Sequence, residues 1–314
     1  MNPVVGPIAS IVVVSDYAGG EELAWATLRA TLKGLAAQVF EEPFECLLVE
    51  RESFTDRIPA DLAGLLPGLR IVPSAGVTAY DLQNAGARAA SADIVALLDA
   101  DCVPDPDWLR RLVAALRGNP GVAVVSGRTT YAGTTRSERI LALLGRAFDD
   151  GGRTAATWVI SNNNAGYRRE VFLDHPLRND AGPFGAGLQT EAIRRAGGRL
   201  LFEPRILVVH AFEGWPMERD MRRHLGYAAV AIRRVDPGVR FAALIRLGPA
   251  IIPLMVAYRI LHCWGRSLRS ARHYGVAWYE IPLALAAAVL VHLYEIPGMA
   301  VAFRGGAIEE TQYR

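Results

Sequence analysis

Apolar positions follow two rhythms in the first half of the chain. Short apolar runs at Ile11 to Ser15, Phe44 to Glu50, Leu69 to Val72, Asp93 to Asp99 and Gly121 to Ser126 predict strands, several of them buried on both faces. Between them the spacing turns helical, with Leu23, Leu28, Leu32 and Leu35 inside 21–38 and further helices over 79–90 and 107–117. Strand and helix alternate as in βαβ units, so the expected fold class is α/β, a mixed and mainly parallel sheet flanked by helices. From Arg136 to His210 the rhythm loosens: a helix over Ser137 to Phe148, a strand near Thr157 to Ser161, a helix over Gly187 to Ala196 and a strand pair across Leu200 to His210.

Beyond Gly214 the pattern changes character. Met217 to Arg234 has helical spacing with a heavily basic face, and two apolar stretches follow, Phe241 to Leu261 and Trp278 to Phe303. Each is long enough for a bilayer span of ~20 residues. Arg246, Arg259, Glu280, His292 and Glu295 lie inside them, and Pro249, Pro253, Pro282 and Pro297 interrupt them. A spanning hairpin would also carry Arg266, Arg269 and Arg272 to the side opposite the basic segment Arg222 to Arg240, against the positive-inside rule. A re-entrant or interfacial hairpin, its arginines reaching back to lipid phosphates, removes that conflict. The alternative is a hydrophobic helical hairpin in an oversized core. The expected division is residues 1–214, a basic amphipathic segment 215–240, and a hydrophobic hairpin with tail, 241–314.

Composition sharpens this picture in three places. With 51% hydrophobic and 21% charged residues the chain is of the ordered globular type, and a net charge of +2 gives no field for nucleic acid. Yet 215–275 holds eleven arginines against Glu218, Asp220 and Asp236, a surface suited to anionic lipid and hence to a membrane partner. Lys33 is the only lysine, which excludes a P-loop lysine or a cofactor-linked Schiff base elsewhere. Cys46, Cys102 and Cys263 show no CxxC spacing, so neither a disulfide framework nor a zinc site is indicated, and a reducing cytoplasm is expected. Met1 to Ser15 has no basic region before its apolar run and reads as a first strand, not a signal peptide.

The candidate chemistry lies at the end of one apolar run. After Ile94 to Leu98 come Asp99, Ala100 and Asp101, and side chains at i and i+2 of an extended segment point the same way. An apolar strand thus delivers two carboxylates at its C-terminal end, the edge where open α/β sheets bind ligands. Two close carboxylates are costly unless a cation offsets their repulsion, and hard oxygen ligands suit Mg²⁺ or Mn²⁺ carrying substrate phosphates. An EF-hand is a poor match, since the required Gly and Glu are absent at the sixth and twelfth positions from Asp99. A structural role stands beside this one, with Asp99 ending the strand and Asp105 or Asp107 capping the next helix.

Over residues 8–235 the chain resembles the inverting glycosyltransferases of family 2, with their GT-A fold. The segments that carry the likeness are Ile11 to Ser15 with Leu28 to Leu35, Asn84-Ala85-Gly86 leading into Asp99-Ala100-Asp101, Asn164 to Phe172, Arg195-Ala196-Gly197, and Pro204 with Val208-Val209-His210. The resemblance implies a Rossmann-like sheet and a nucleotide-sugar donor, UDP- or GDP-linked, with a divalent metal (Mn²⁺ or Mg²⁺) at Asp99, Asp101 and His210. Asp99 would lie near the ribose or the metal. Donor contacts would come from Ser15, Glu50 and Asn84. A histidine ending a strand for structural reasons is the other reading of His210.

The chain also departs from the family. A Glu-Asp pair is usual 11 to 12 residues before the glycine matching Gly197, and Gly185 and Ala186 stand there. The nearest acids are Asp180 and Glu191, the candidates for the carboxylate that takes the acceptor's proton; a turn former and a solvated helix residue are their structural readings. Gln83 stands where an arginine for the phosphates is often found, and Arg168 or Arg169 would compensate. Taken together, these features give the expected activity: metal-dependent sugar transfer to a lipid-linked or other membrane-proximal glycan acceptor, at the cytoplasmic face of the cell membrane. A donor-binding scaffold that has lost its base is the alternative.

Overall fold

The computed structural model describes residues 6–14, 22–147, 150–212 and 214–308. Among these residues nine strands form one sheet. Its parallel half runs in the order β3 (Leu69–Ser74), β2 (Phe44–Arg51), β1 (Ala9–Val14) and β4 (Ile94–Asp99). β1 is buried at all six positions, as an apolar strand covered on both faces must be. Strand alternation divides the core in two. Ile11, Val13, Leu48, Ala96 and Leu98 pack on one side with α1 (Glu22–Ala36) and α4 (Trp108–Arg117). Val12, Val14, Leu47, Val95 and Leu97 face α3 (Ala79–Ala89), α6 (Arg169–Asp174) and α7 (Gly187–Arg195). A short helix, α2 (Leu62–Leu65), precedes β3.

The second half of the sheet is where the pattern misleads. β8 (Asn164–Arg168) lies antiparallel between β4 and β6 (Val122–Thr130). The strand expected near Thr157 to Ser161 is absent; only Ala155–Ala156, β7, pairs there, and the Thr157 hydroxyl turns the chain by bonding the Val159 carbonyl and N–H. The expected strand pair across Leu200 to His210 is one strand, β9 (Arg199–His210), parallel to β6. Its register shifts between the pairs Gly127↔Glu203 and Arg128↔Leu207, so Pro204 falls in the bulge, where its missing N–H costs no ladder bond. Gly127 permits the bulge, because a Cβ there would lie 2.0 Å from the Ile206 carbonyl oxygen. Cys102–Pro104 forms β5, antiparallel to the end of β9.

Among the described residues, α5 (Arg136–Arg146) starts one residue before the expected helix and ends at Arg146, Ala147 being its cap, while Phe148 lies outside the described residues; four more α-helices follow β9. They are α8 (Gly214–Val235), α9 (Ile252–Ser270), α10 (Ile281–Leu293) and α11 (Ile296–Phe303). Two stretches, Ala242–Tyr274 and Trp278–Phe303, are long and apolar enough to cross a membrane. In the first, only 11% of the most apolar window is buried. Neither is one straight helix: Gly248, at φ 65°, breaks the 3₁₀ turns of Ala242–Ile251, and Pro297 begins α11. α8 crosses α11 at two glycines. A Cβ on Gly226 would meet the Glu295 carbonyl oxygen at 2.0 Å, and one on Gly298 the Arg223 carbonyl oxygen at 1.8 Å.

Candidate functional site

The end of β4 and the end of β9 build the site between them. Val14 pairs with Asp99 in the β1–β4 register, and alternation turns Asp99 to the α3 side of the sheet. The chain then turns through Ala100, held by its N–H to the Val14 carbonyl (3.2 Å) and by the Thr31 hydroxyl on its carbonyl (2.8 Å). β5 follows, and its antiparallel register sets Cys102 opposite His210, while the Ala211 N–H donates to the Asp101 carbonyl at 2.9 Å. Asp99, Asp101, Cys102 and His210 each offer a ligand atom within 4.8 Å of the others.

Burial sets the charge state of this cluster. It pushes the Asp101 carboxyl above the usual carboxylate range, against the lowering effect of the Arg146 guanidinium. It holds His210 well below the usual histidine range, and Arg146 adds to that, so the imidazole is neutral. His210 Nδ1 lies 2.6 Å from the Ala211 carbonyl oxygen and 3.2 Å from Asp101 Oδ2, positions that an Nδ1–H fills and that leave Nε2 with its lone pair. The Cys102 thiol is turned onto Asp101 Oδ1 (3.8 Å) and accepts from Asn163 Nδ2 (3.9 Å). Two carboxylates and a neutral imidazole remain, a donor set that suits Mn²⁺ or Mg²⁺ with phosphate oxygens completing the shell. Behind His210, Tyr131 meets its ring edge-on at 5.9 Å and carries Arg146 over its own face at 5.4 Å.

Asn164 fixes the neighbouring strands. Its side chain donates to the carbonyls of Arg128 and Ile206, each at 3.0 Å, and accepts from Trp108 Nε1 at 2.8 Å. Both Asn164 and Trp108 are fully buried. Asn164→Ala is therefore expected to cost about 3 kcal/mol, since three polar groups lose their partner away from water. A urea unfolding midpoint that implies a loss under ~1 kcal/mol would remove the clamp from the account.

The other residues singled out from the sequence are spread more widely. Ser15 lies outside the described residues. Glu50 is buried near the end of β2, its Oε1 accepting from the Arg51 N–H at 2.8 Å. Asn84 spends its amide on both backbone groups of Leu177 (2.9 and 3.0 Å), tying α3 to the segment after α6. Arg168 and Arg169 are not brought to the cluster. β8 runs antiparallel to β4, so Arg168 pairs with Ile94, about 17 Å down the strand from Asp99. Arg168 donates to the Val122 and Leu116 carbonyls, and Arg169 to those of Ala87 and Arg88.

The two candidate bases are held by arginines of their own segments. Asp180 pairs with Arg178, and Glu191 with Arg194 and Arg195. The Tyr80 phenol, close enough to Asp99 for that charge to raise its pKa after burial, accepts from the Ala186 N–H at 2.9 Å. Gly185 and Ala186 thus stand beside the cleft with no carboxylate, and Glu191 sits about 7.5 Å further along the helix axis. Sequence reading missed Arg146, Tyr131 and Cys102. The only signal available was Cys102 next to the paired carboxylates, for the other two come from distant segments.

Comparison with known proteins fits this geometry. The family model described as Glycosyl transferase family 2 matches residues 19–175, half of the chain. Glycosyltransferase AglE of Haloferax volcanii is 31% identical over 108 residues, which are 33% of this chain and 33% of that relative. The chain thus aligns with about a third of that relative's length. Among solved structures, the mannosyltransferase PcManGT from Pyrobaculum calidifontis, in complex with GDP-Man and Mn²⁺, superposes with a TM-score of 0.60. The match covers 96% of this chain and 88% of that one at 20% identity, a likeness of fold.

Proposed function

The chain belongs to glycosyl transferase family 2, and from that premise we propose that it transfers a sugar, with inversion, from a UDP- or GDP-linked donor to a lipid-linked or membrane-proximal acceptor, using Mn²⁺ or Mg²⁺. The observation that carries the reading is the convergence of Asp99, Asp101 and His210 at the C-terminal edge of β4. These three would hold the cation, which when bound offsets the charge that develops on the leaving diphosphate. Arg146 adds a fixed positive charge on the same side. Asp101 is kept in place by the Ala211 N–H on its backbone carbonyl. Inversion requires a carboxylate opposite the leaving group to take the acceptor's proton. Glu191 or Asp180 would do so after exchanging its arginine partners. The exposed apolar face of 242–274 supports docking on the cytoplasmic leaflet, where a lipid-linked acceptor presents its reactive end.

A second reading, a donor-binding scaffold, is favoured by Gly185 and Ala186 standing where the family carries its carboxylate pair. One experiment separates the two. The full chain is titrated with UDP- and GDP-sugars, with and without Mn²⁺, and read by thermal shift and donor hydrolysis. Metal-dependent stabilisation with hydrolysis is the result expected of the enzyme. Stabilisation without turnover supports the scaffold, and no metal-dependent binding of any donor would sink both.

A further inference from the structure

A groove of about 210 Å³ lies between the end of α8, the turns at 242–251 and α9, far from the cluster at Asp101. Its walls include Phe241, Leu244, Ile245, Leu254, Met255 and Tyr258, and among the described residues no carboxylate lines it. Two guanidinium groups reach it, Arg233 and Arg259. Arg259 is compensated by Glu295. Arg233 donates only to the carbonyls of Ala229 and Arg240 and pairs with no acid among the described residues. Burial, and then the neighbouring Arg259 charge, hold its guanidinium below the usual arginine range, which marks a cation short of counter-charge. The rim is itself exposed and apolar, Leu254 being 60% and Leu244 41% accessible.

An apolar trough with one uncompensated cation has the complementarity of an amphiphile, a hydrocarbon chain against the walls and a phosphate on the arginine. We infer that the groove holds a single anionic phospholipid and that this lipid fixes the protein on the membrane. The site is separate from the acceptor's. Arg233 stands nineteen residues along α8 from Gly214, about 28 Å at the α-helical rise, so a phosphate seated there is out of reach of a sugar held at Asp101. The inference rests on the membrane-docking part of the proposed function and not on its chemistry.

The test is flotation of the full chain with phosphatidylcholine vesicles, with and without phosphatidylglycerol. The parent should prefer the anionic vesicles. Arg272→Gln, which removes an exposed arginine outside the groove, should weaken that binding by no more than about fivefold, the worth of one arginine over a charged surface. Arg233→Gln should weaken it by about twentyfold or more, and Arg233→Lys should recover most of the loss. Equal effects of Arg233→Gln and Arg272→Gln would overturn the groove in favour of a general electrostatic film. Flotation with no anionic preference would overturn the groove and leave docking intact. A parent that floats with neither vesicle would overturn docking and groove together, while the donor titration above would still stand.

Discussion

Asp101→Asn is expected to abolish metal-dependent binding of a nucleoside diphosphate while leaving the fold intact. Asn has the same shape, so the Ala211 N–H still finds the backbone carbonyl and the β5–β9 register is kept. What is lost, on the proposed function, is one of two hard anionic ligands, together with the transition-state charge compensation that would depend on it. A fall in turnover of about 10²–10³-fold follows, comparable to removing one well-placed electrostatic stabiliser. Stability moves the other way. Burial raises the Asp101 carboxyl above its unfolded value, so the ionised group costs stability above that unfolded value and the cost is relieved as pH falls through the folded one. The Asn variant removes the cost. Its metal-free Tm should equal or exceed the parent's near neutral pH and should rise less on mild acidification. Unchanged metal-dependent thermal shift by GDP or UDP in the variant would take Asp101 out of the donor site.

Glu295→Gln is expected to be the most damaging single change for stability. Glu295 is fully buried where α10 meets α11. Its carboxylate accepts from Arg259 Nη2 (2.9 Å) and Nε and from His292 Nδ1 (2.8 Å), and Arg222 Nη1 is 3.7 Å away. Arg222 is itself buried and otherwise rests on Glu218 at 2.7 Å. Removing the central charge takes the acid from Arg259 and leaves Arg222 with Glu218 alone, and breaking a buried pair from one side costs about 3–5 kcal/mol. Thermal unfolding of the full chain in lipid or detergent measures it. A loss below ~1 kcal/mol would mean that water or lipid headgroups reach this network.

Where the chain was legible, burial explains why. β1, β2 and β4 lie inside the sheet with both faces covered, so each carries an unbroken apolar run, Ile11 to Val14, Cys46 to Val49 and Ile94 to Leu98. β8 is as central but reads Asn-Ala-Gly-Tyr-Arg, because Asn164 serves as a clamp and Gly166 must admit Leu112, whose Cδ2 would lie 2.5 Å from a Cβ. No local pattern announces such a strand. The paired carboxylates were visible because their i, i+2 spacing is itself local. Arg146 and Tyr131 were not, since Arg146 comes to the cluster through the packing of α5 and Tyr131 through the pairing of β6 with β9, rather than through any spacing. The error over Arg168 and Arg169 has the same root: a strand's place in the sequence does not say which end of it meets the site. In β8 that end is Asn164, paired with Leu98.

The glycine crossing of α8 and α11 has a mechanical consequence. With a carbonyl of each helix seated in the notch left by the other's missing side chain, the pair is keyed like a shaft in its collar and has no slack for sliding. A tilt of the apolar hairpin must then turn α8 as a rigid rod. The near end of that rod is Gly214, four residues beyond His210, so a turn of α8 bears on the edge of the sheet that carries Asp99, Asp101 and His210.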